Sequence, residues 1–422
     1  MTVQPEGNGS ARKEEGRVLM FYPSLLFPPD RGSRRRGLFV LDYLVSRFKS
    51  IDLCLVHVSP EEDATNAEEL GRRGARVHFI HSSEGTGPAV WGRLHRWASL
   101  LFKGRMPSYE SPAFLDPVLA AEFRQVVREV RPDLVLITHT QFAGLAGAWT
   151  GEVFSVIDTI DVFKDLHQCY ADYSGMKAMV APLLLGYREH GSAFGSEVEI
   201  LRRYQRIIAI SRGDYDAFLQ AGLSSDAVFE IGESCGEPRP EPVAAAAGKD
   251  TDLLFVASRF LGTEESARFL LQQVLPRCRR VSSLTVVGPI CGFIESQALR
   301  PPETVRMHLA GIVPDLATFY DRSRLVVIPV LRGTGVSIKC AEAFSHGAAV
   351  VTTRMGARGV AAIDGKNCLM ADDPDDFAQK VDAALEDPSL RVRLGESALA
   401  GSRRSRVEAY ESLDRLCAPV LG

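Results

Sequence analysis

The chain has 422 residues, of which 45% are hydrophobic and 24% charged, and its formal net charge is −4. These values indicate a globular protein of two or three domains, and we expect no nucleic acid as a partner. No apolar stretch reaches the roughly 18 residues of a membrane-spanning helix, and the polar first residues lack a secretory signal. The eight cysteines are scattered without a Cys-x-x-Cys pair, which favours reduced thiols and a cytoplasmic location.

Short β-branched runs alternate with helical patterns through the first half of the chain. Residues 1–16 are expected to form a disordered tail, after which Val18–Tyr22 is the first strand. A loop rich in proline, glycine and arginine over 28–37 precedes a helix from Leu38. Further strands are expected at 51–58, 77–80, 134–137, 153–157 and 207–210. This alternation predicts an α/β fold with a parallel, doubly wound sheet.

The composition changes between Gly236 and Asp250, where prolines and then alanines make the best linker candidate. After this segment the strand and helix pattern starts again. Strands are expected at 253–256, 284–287, 305–309, 325–328 and 350–353. The sequence therefore predicts two Rossmann-like domains, 17–240 and 250–400, and a helical end over 401–422.

The most specific pattern lies between residues 332 and 359. A strand is followed by a turn with Gly333 and Gly335, by a helix that carries Lys339 and Glu342, and by a second strand. Ligands of open α/β sheets bind at the carboxyl ends of strands, where such turns lie. Glycines and a helix N-terminus suit a phosphate, and Lys339 adds a cation. Glu342 shares the helical face of Lys339 and can accept hydrogen bonds from the vicinal hydroxyls of a ribose.

This segment resembles the nucleotide-sugar site of retaining glycosyltransferases with the GT-B fold, the family 4 or group 1 type. The shared positions are Gly333, Gly335, Lys339, Glu342, Ala343, Gly347, Val350, Val351, Thr353, Gly356 and Gly359. The resemblance extends from Arg17 to about Ala400 and is most specific over 252–365. It implies two Rossmann-like, doubly wound domains that face a cleft, an N-terminal one for the acceptor and a C-terminal one for the nucleotide sugar. It also implies that residues 401–422 form a helix that can cross back to the N-terminal domain.

The activity that the resemblance implies is transfer of a hexose-type sugar from a nucleotide-sugar donor to an acceptor hydroxyl with retention of anomeric configuration. A UDP-, GDP- or similar nucleotide carries the sugar, and the acceptor is left open among glycans, lipid-linked molecules, proteins and small molecules. We expect no cofactor and no metal ion. Asp214-x-Asp216 matches the Asp-x-Asp pattern of some metal sites. Because Ser211 precedes Asp214 by three residues, the pattern is better explained as a capping box at the start of a helix.

The resemblance also assigns individual residues to the donor. Arg259 contacts the diphosphate with Lys339 as the second cation, Glu342 binds the ribose, and the backbone of Val313 contacts the base. Charges that are held in place for a departing diphosphate can supply several kcal/mol of transition-state stabilisation. The expected donor-binding residues are Gly32, Ser33, Arg259, Val313, Gly335, Val336, Ser337, Lys339 and Glu342.

Two positions depart from the family pattern. Thr334 stands where many members have a glutamate that touches the donor sugar. Ile160, between Asp158 and Asp161, stands where members have a histidine beside the reacting sugar, and isoleucine neither hydrogen-bonds nor transfers a proton. Three outcomes stay open: one of the two aspartates takes over near the sugar, the departing phosphate takes the proton of the acceptor, or activity is lost.

The catalytic candidates are therefore Asp158, Asp161, Arg259 and Lys339. His139 and His167 are interpreted as structural or exposed residues. The arginine run over 34–36 is interpreted as a solvated face, one member of which can still meet a phosphate or an anionic acceptor.

Other interpretations remain open for the whole chain. A non-catalytic relative that acts as a binding or partner subunit is consistent with Ile160 and Thr334, and an epimerase of the same fold would form product without an acceptor. An NAD-dependent dehydrogenase is disfavoured because no Gly-x-Gly-x-x-Gly follows the strand at Val18. The aromatic and basic stretch 91–105 is interpreted as core packing with a basic edge, with peripheral contact to an anionic membrane or a lipid-linked acceptor as the alternative.

Overall fold

The computed structural model describes residues 14–29, 32–82, 116–149, 153–160, 197–232, 237–245, 248–258, 261–313, 315–333 and 335–421. The chain divides into two compact units. The first contains Met1–Ala209, Asp214–Glu230 and Tyr410–Gly422, and the second contains Ile210–Gly213 and Ile231–Ala409.

A seven-stranded parallel sheet is the centre of the first unit among the described residues. Its strands are β1 (Glu14–Tyr22), β2 (Phe48–Val56), β3 (Ala75–Ile80), β4 (Leu134–Thr138), β5 (Phe154–Asp158), β6 (Arg206–Ala209) and β7 (Val228–Glu230). The spatial order is β3-β2-β1-β4-β5-β6-β7. The order of strands therefore reverses between β1 and β4, which is the point where open sheets of this kind bind ligands.

Helices cover this sheet, and local sequence signals explain where they begin. They are α1 (Gly32–Arg47), α2 (Pro60–Arg72), α3 (Pro117–Val130), α4 (Arg212–Gln220) and a 3-10 segment, Thr140–Ala148. The side chains of Ser59 and Asp116 cap α2 and α3, each followed by proline at the first helical position. A Cβ atom on Gly37 would lie 2.6 Å from Leu26 Cδ2 and 2.8 Å from Tyr22 Cε2, so α1 packs closely against the end of β1 at this glycine.

The second unit is built around a six-stranded parallel sheet in the order β10-β9-β8-β11-β12-β13, as far as the described residues show. The strands are β8 (Thr251–Val256), β9 (Ser283–Val287), β10 (Arg306–Gly311), β11 (Ser323–Ile328), β12 (Val350–Thr352) and β13 (Leu369–Met370). Its strand order reverses between β8 and β11. Fully buried runs such as Leu325–Ile328 are typical of a parallel sheet that is covered on both faces.

The helices of the second unit follow the strands in alternation. They are α5 (Leu261–Arg268), α6 (Ile290–Ser296), α7 (Ala317–Arg322), α8 (Ile338–Ser345), α9 (Pro374–Glu386) and α10 (Pro388–Leu421). A π-helical turn, Phe269–Val274, and a 3-10 turn, Leu275–Arg277, continue α5. None of the helices in the described residues has the length and hydropathy that a membrane crossing requires.

Several boundaries differ from those expected from the sequence. Strand β1 begins at Glu14, inside the expected tail, because Glu14 pairs with Phe48 of β2. Helix α1 begins at Gly32 rather than Leu38, so the arginine run belongs to its first turns. The edge strands β7 and β13 were not expected. They have only three and two residues, which is too short for a pattern of alternating hydrophobicity to be recognised.

The segment expected as a linker is hydrogen-bonded to the second unit. The N–H groups of Arg239 and Val243 donate to the carbonyls of Ser345 and His346, each at 2.9 Å. Gly347, at φ +62°, has no room for a Cβ atom, which would lie 2.5 Å from Pro242 Cα. The described part of this segment is therefore ordered by backbone hydrogen bonds and close packing, which proline-rich composition alone does not predict.

The end of α10 is attached to α1 within the first unit. Arg47 binds Asp414 through two hydrogen bonds of 2.7 and 2.6 Å, and the Tyr43 hydroxyl donates to the same carboxylate at 2.9 Å. Burial opposes ionisation of Asp414, but the hydrogen bonds from Arg47 and Tyr43 outweigh it and lower the pKa of the carboxyl. The attachment therefore depends on the ionised carboxylate.

Replacement of Asp414 by asparagine should lower the free energy of unfolding at pH 7 by about 1 kcal/mol, because the pair is partly solvent-screened. A depressed pKa adds stability that is present above the unfolded value of 3.8 and is lost as the pH falls through the lower folded value. The urea midpoints of the parent and Asp414→Asn proteins should therefore converge below that pH. A difference that stays constant from pH 7 to pH 3 would contradict the ionic attachment.

Candidate functional site

The carboxyl ends of β8, β9 and β10 come together in the second unit with very little space between backbones. Gly288, after β9, has φ +111°, and a Cβ atom there would lie 3.1 Å from the carbonyl carbon of Ala257. Its N–H donates to the Gly311 carbonyl at 2.6 Å. This edge, at the reversal point of the sheet, is where a ligand of an open α/β sheet is expected.

The glycine-rich turn after β11 forms a compact loop that leads into α8. Gly335 is buried with φ +61°, and a Cβ atom on Gly359 would lie 2.6 Å from a methyl of Val336. The Ser337 N–H donates to the Arg358 carbonyl at 2.9 Å. In this structure the amide of Ser337 is therefore bound to the protein itself, and the expected donor contact of Ser337 stays a prediction.

Lys339 and Glu342 are brought together on α8, as the helical spacing predicts. Lys339 Nζ lies 3.1 Å from Glu342 Oε2, and the exposed fractions of the two side chains are 30% and 2%. The apolar neighbours Cys340, Ala343 and Phe344 on the same helix are also buried. A carboxylate that is desolvated to this extent requires a charged or hydrogen-bonding partner. Lys339 is such a partner, and it still reaches solvent.

Two threonines connect the ends of β11 and β12. Thr353 Oγ1 donates to the Val330 carbonyl and accepts the Gly356 N–H at 2.8 Å. Thr352 Oγ1 lies 3.1 Å from the Ile328 carbonyl. These hydroxyls fix the turn around the site. The sequence motif did not reveal this role, because the role depends on which backbone carbonyls lie beside the threonine side chains.

Replacement of Gly356 by alanine should destabilise the protein by about 1–3 kcal/mol through overpacking. The new Cβ atom would lie 2.5 Å from the Ile328 carbonyl oxygen and would also collide with Thr352 Oγ1. The matched control is Gly292→Ala in α6, where a Cβ atom meets nothing within 4 Å. Alanine there should stabilise by roughly 0.5–1 kcal/mol. Equal thermal midpoints for the two variants would refute the close packing at Gly356.

Val313, the residue expected beside the base, follows β10 in a loop. Like Leu316 and Phe319, it is half-buried against an apolar cluster that includes Val287 and Tyr320. Its neighbour Ile312 is 76% exposed. The loop thus offers backbone groups and apolar surface beside the carboxyl end of the sheet.

Several expected site residues lie outside the described residues. They are Arg259, Thr334 and Asp161, together with His167 and the stretch 91–105. Their roles therefore stay predictions.

In the first unit, Gly32 and Ser33 open helix α1 beside the end of β1. Ser33 lies next to the hydroxyl of Tyr22, whose side chain is buried. Burial raises the pKa of Tyr22 to about 12, against the smaller opposing effect of the Ser33 hydrogen bond. The expected phosphate contacts of Gly32 and Ser33 thus lie at the start of a helix, a position that favours negative charge.

The arginine run over 34–36 was expected to be a solvated face, but the Arg36 side chain is buried. Arg36 Nε lies 2.9 Å from Asp158 Oδ2, and the two side chains are 1% and 0% exposed. Because α1 begins at Gly32, Arg36 occupies its second turn and faces the end of β5. Arg34 and Arg35 instead donate to the carbonyls of Pro28 and Pro29.

Asp158 is therefore buried and engaged with Arg36, rather than open to a sugar. The sequence did not reveal this pair, because its members are 122 positions apart. The sequence did contain one indication of the pair. Arg36 lies near the expected start of a helix and Asp158 at the end of an expected strand, and both positions belong to the same edge of a parallel sheet. The pair fixes the start of α1 against the end of β5.

His139 and Ile160 lie just after β4 and β5, and both have unusual backbone conformations. Their φ angles are 68° and 58°, values that residues other than glycine rarely adopt. The His139 N–H donates to the Asp158 carbonyl at 2.8 Å, and its ring lies edge-on to Tyr22 at 5.3 Å. Burial lowers the pKa of His139 to about 4, although the Asp158 carboxylate acts in the opposite direction. The imidazole is therefore neutral at physiological pH.

Comparison with known proteins agrees with this architecture. Residues 250–387 match the family model of the glycosyl transferases group 1. HepE of Anabaena, solved with UDP and glucose, aligns with a TM-score of 0.64 at 15% identity, over 96% of this chain and 100% of HepE. Sucrose-phosphate synthase from Thermosynechococcus elongatus aligns at 0.62 and 14% identity, over 96% and 98% of the two chains.

TarM of S. aureus, solved with UDP and α-GlcNAc-glycerol, aligns with a TM-score of 0.62 at 10% identity, over 95% of this chain and 99% of TarM. No curated protein sequence is significantly similar to this chain. At these identities the structural likeness establishes the fold. The chain has the GT-B fold of these glycosyltransferase structures, and residues 250–387 match the group 1 glycosyl transferase family.

Proposed function

We propose that this protein is a retaining, metal-independent glycosyltransferase of the family 4 type. It transfers a hexose from a nucleotide sugar, with UDP as the first nucleotide to test, to a hydroxyl of an acceptor. The second unit binds the donor and the first unit binds the acceptor. The buried Glu342 beside Lys339, at the carboxyl edge of a sheet whose sequence matches a glycosyl transferase family, is the observation that carries this proposal.

The Glu342–Lys339 pair suits a nucleoside diphosphate in both of its parts. A buried carboxylate accepts hydrogen bonds from the two vicinal hydroxyls of a ribose, and these bonds are stronger than those between neutral groups. Lys339 keeps access to solvent and can turn to the diphosphate, where the nearby glycine turn leaves room for phosphate oxygens. The neighbours HepE and TarM were solved with UDP, which supports the choice of nucleotide.

Catalysis in this proposal consists mainly of stabilising the diphosphate as it leaves. Lys339 supplies one positive charge and Arg259 the other. The acceptor attacks on the face from which the diphosphate departs, and a phosphate oxygen takes the proton of the acceptor. Asp161 is the aspartate that remains a candidate for a role near the sugar, whereas Asp158 acts as a positioning residue through Arg36.

A thermal stabilisation panel of UDP-, GDP-, ADP- and TDP-sugars, with and without EDTA, tests the donor. We expect one nucleotide to raise the melting temperature, by the same amount with EDTA present. Retention is then read from the anomeric configuration of the product by NMR. Absence of any shift would refute the donor site, and activity that EDTA abolishes and manganese restores would refute metal independence.

The absence of a histidine at Ile160 favours a second candidate, a non-catalytic partner subunit. Ile160 is 8% exposed, so its side chain belongs to the core rather than to an open site. Nucleotide-sugar binding without hydrolysis or transfer by the purified chain would favour this candidate.

We further propose a cytoplasmic protein in which the stretch 91–105 contributes to core packing with a basic edge, and peripheral membrane contact through this stretch is the alternative. Liposome binding by the parent protein, lost after charge reversal of Arg93, Arg96 and Arg105, would support that contact, and no binding by the parent would refute it.

A further inference from the structure

The amino edge of the second sheet carries a lysine that the proposed donor site does not use. Lys249 lies two residues before β8, and its half-buried side chain donates to the Tyr320 carbonyl at 3.3 Å. That carbonyl also accepts the N–H of Ser323 at the end of α7. In the part of the chain that the structure describes, no carboxylate lies within the 4 Å of an ion pair with Lys249. The ammonium is thus held in a partly desolvated place by one neutral acceptor.

Two arginines act on this amine, and both are bound to other groups. Arg239 Nη1 lies 2.6 Å from Asp321 Oδ1, and Arg391 Nη1 donates to two carbonyls at the end of α9 at 2.5 and 2.9 Å. Burial lowers the pKa of Lys249 to about 8, and Asp321 opposes this effect while Arg239 and Arg391 add to it. A substantial fraction of the amine is therefore neutral at pH 7.4, whereas an ordinary lysine, with a pKa of about 10.4, is almost fully protonated.

A neutral amine beside guanidinium groups suits one chemical class of reagent. Its lone pair makes the amine a nucleophile toward an activated carbonyl carbon. A guanidinium has five N–H donors, of which the contacts of Arg239 and Arg391 use only a part, so both side chains can also bind phosphate oxygens. An acyl phosphate combines the two requirements, because its carbonyl is activated and its leaving group is the anion that arginine recognises.

We propose that Lys249 is an acylation site, which takes the acyl group of an acyl phosphate. The amine attacks the acyl carbon, so that a C–N bond forms and the bond from this carbon to the phosphate oxygen breaks. Phosphate leaves beside Arg239 and Arg391, and the amine proton passes through solvent to it. The product is a neutral amide, which removes a half-buried charge from beside the arginines. This modification does not depend on the proposed function, because Glu342 follows the carboxyl end of β11, at the opposite edge of the sheet.

Treatment of the native, full-length protein with acetyl phosphate at pH 7.4 tests this assignment. Mass spectrometry of the digested protein gives the initial rate of acetylation at each lysine. Lys366, an exposed lysine of the same unit, is the matched control. We expect Lys249 to react at least tenfold faster than Lys366, although it is less exposed, because more of its amine is neutral. A rate at Lys249 no higher than that at Lys366 would show that exposure alone controls the reaction and would overturn the proposal.

The pH profile of the reaction gives a second readout. The rate at Lys249 should level off above about pH 8, where most of the amine is neutral. At an ordinary lysine the rate continues to rise through this range. A rate at Lys249 that rises between pH 8 and pH 10 as steeply as the rate at Lys366 would overturn the proposal, because the amine would then be an ordinary one.

Two further comparisons test the contribution of the arginines. Arg239→Gln leaves Asp321 to pair with Lys249, so acetylation of the folded variant should slow by about threefold or more. Arg393→Gln, at an exposed position of α10, is the control and should react as the parent does. With acetic anhydride, which has no phosphate, the preference for Lys249 over Lys366 should be smaller. An equal preference with both reagents, or a parental rate in Arg239→Gln, would overturn the selection of an acyl phosphate by the arginines.

Discussion

Replacing Glu342 with alanine is expected to weaken nucleotide-sugar binding by roughly 100-fold, the largest effect on binding that we predict. Two hydrogen bonds from ribose hydroxyls to a carboxylate are together worth about 3 kcal/mol, and every 1.4 kcal/mol is about a factor of ten in affinity. Glu342 is only 2% exposed, so water cannot replace it easily once it is lost. Calorimetric titration with the best donor of the panel measures the effect.

Folding should survive this change. Lys339 is 30% exposed and can turn to solvent when its partner is removed, so no charge is left buried. Glu342→Gln should bind with intermediate affinity, because an amide oxygen still accepts one hydrogen bond. Glu295→Ala, an exposed glutamate of the same unit, serves as the matched control and should bind as the parent does. Parental affinity in folded Glu342→Ala would remove the ribose assignment.

Loss of one member of the Arg36–Asp158 pair should give the largest change in stability. Asp158→Ala is expected to lower the free energy of unfolding by about 3–5 kcal/mol, because the guanidinium is left buried without its carboxylate. The pair spans 2.9 Å and is 1% and 0% exposed. Urea unfolding, with thermal melting as a second probe, measures the loss.

The combined variant Arg36→Met/Asp158→Leu separates the burial of charge from the packing of the pair. Apolar residues of similar volume often replace a buried ion pair without loss of stability, so the combined variant should recover most of the difference. Glu68→Ala, which breaks an exposed pair with Arg72, should cost less than 1 kcal/mol. A combined variant as unstable as Asp158→Ala would show that the hydrogen-bond geometry, rather than the unpaired charge, matters.

Activity gives a second measure of the role of Asp158. A positioning residue that acts through Arg36 should affect turnover in proportion to the loss of order at the start of α1. Arg36→Lys, which keeps the charge without the planar guanidinium, should therefore retain more activity than Asp158→Asn. Full turnover in Asp158→Asn would remove Asp158 from both the catalytic and the positioning roles.

Local sequence was sufficient to predict which residues of the proposed donor site lie together. The glycines at 333 and 335, with Lys339 and Glu342, lie within one strand–turn–helix unit, so their spacing alone places them together. Helical geometry brings positions 339 and 342 to the same face, and the structure confirms their contact at 3.1 Å. The sequence also predicted most strand positions, because buried parallel strands are continuous β-branched runs.

The first unit shows where sequence reasoning was incomplete. The arginine run was interpreted as a solvated face, whereas Arg36 is buried against Asp158. His139 was interpreted as structural or exposed, and the structure shows it half-buried directly after β4 with φ 68°, a conformation that the sequence did not reveal. Both depend on which strand ends are neighbours in space. A short edge strand such as β7 also has no readable sequence pattern.

The sequence by itself determined the α/β class, the two series of strands and the donor motif, because each of these follows from residues close together in the chain. The tertiary structure alone decided the Arg36–Asp158 pair and the neutral state of the half-buried His139 ring. Strand order brings these groups together across long stretches of chain, and burial then sets their charge. The physical reason is that periodicity and spacing are local properties, whereas desolvation and charge pairing are properties of the assembled sheet.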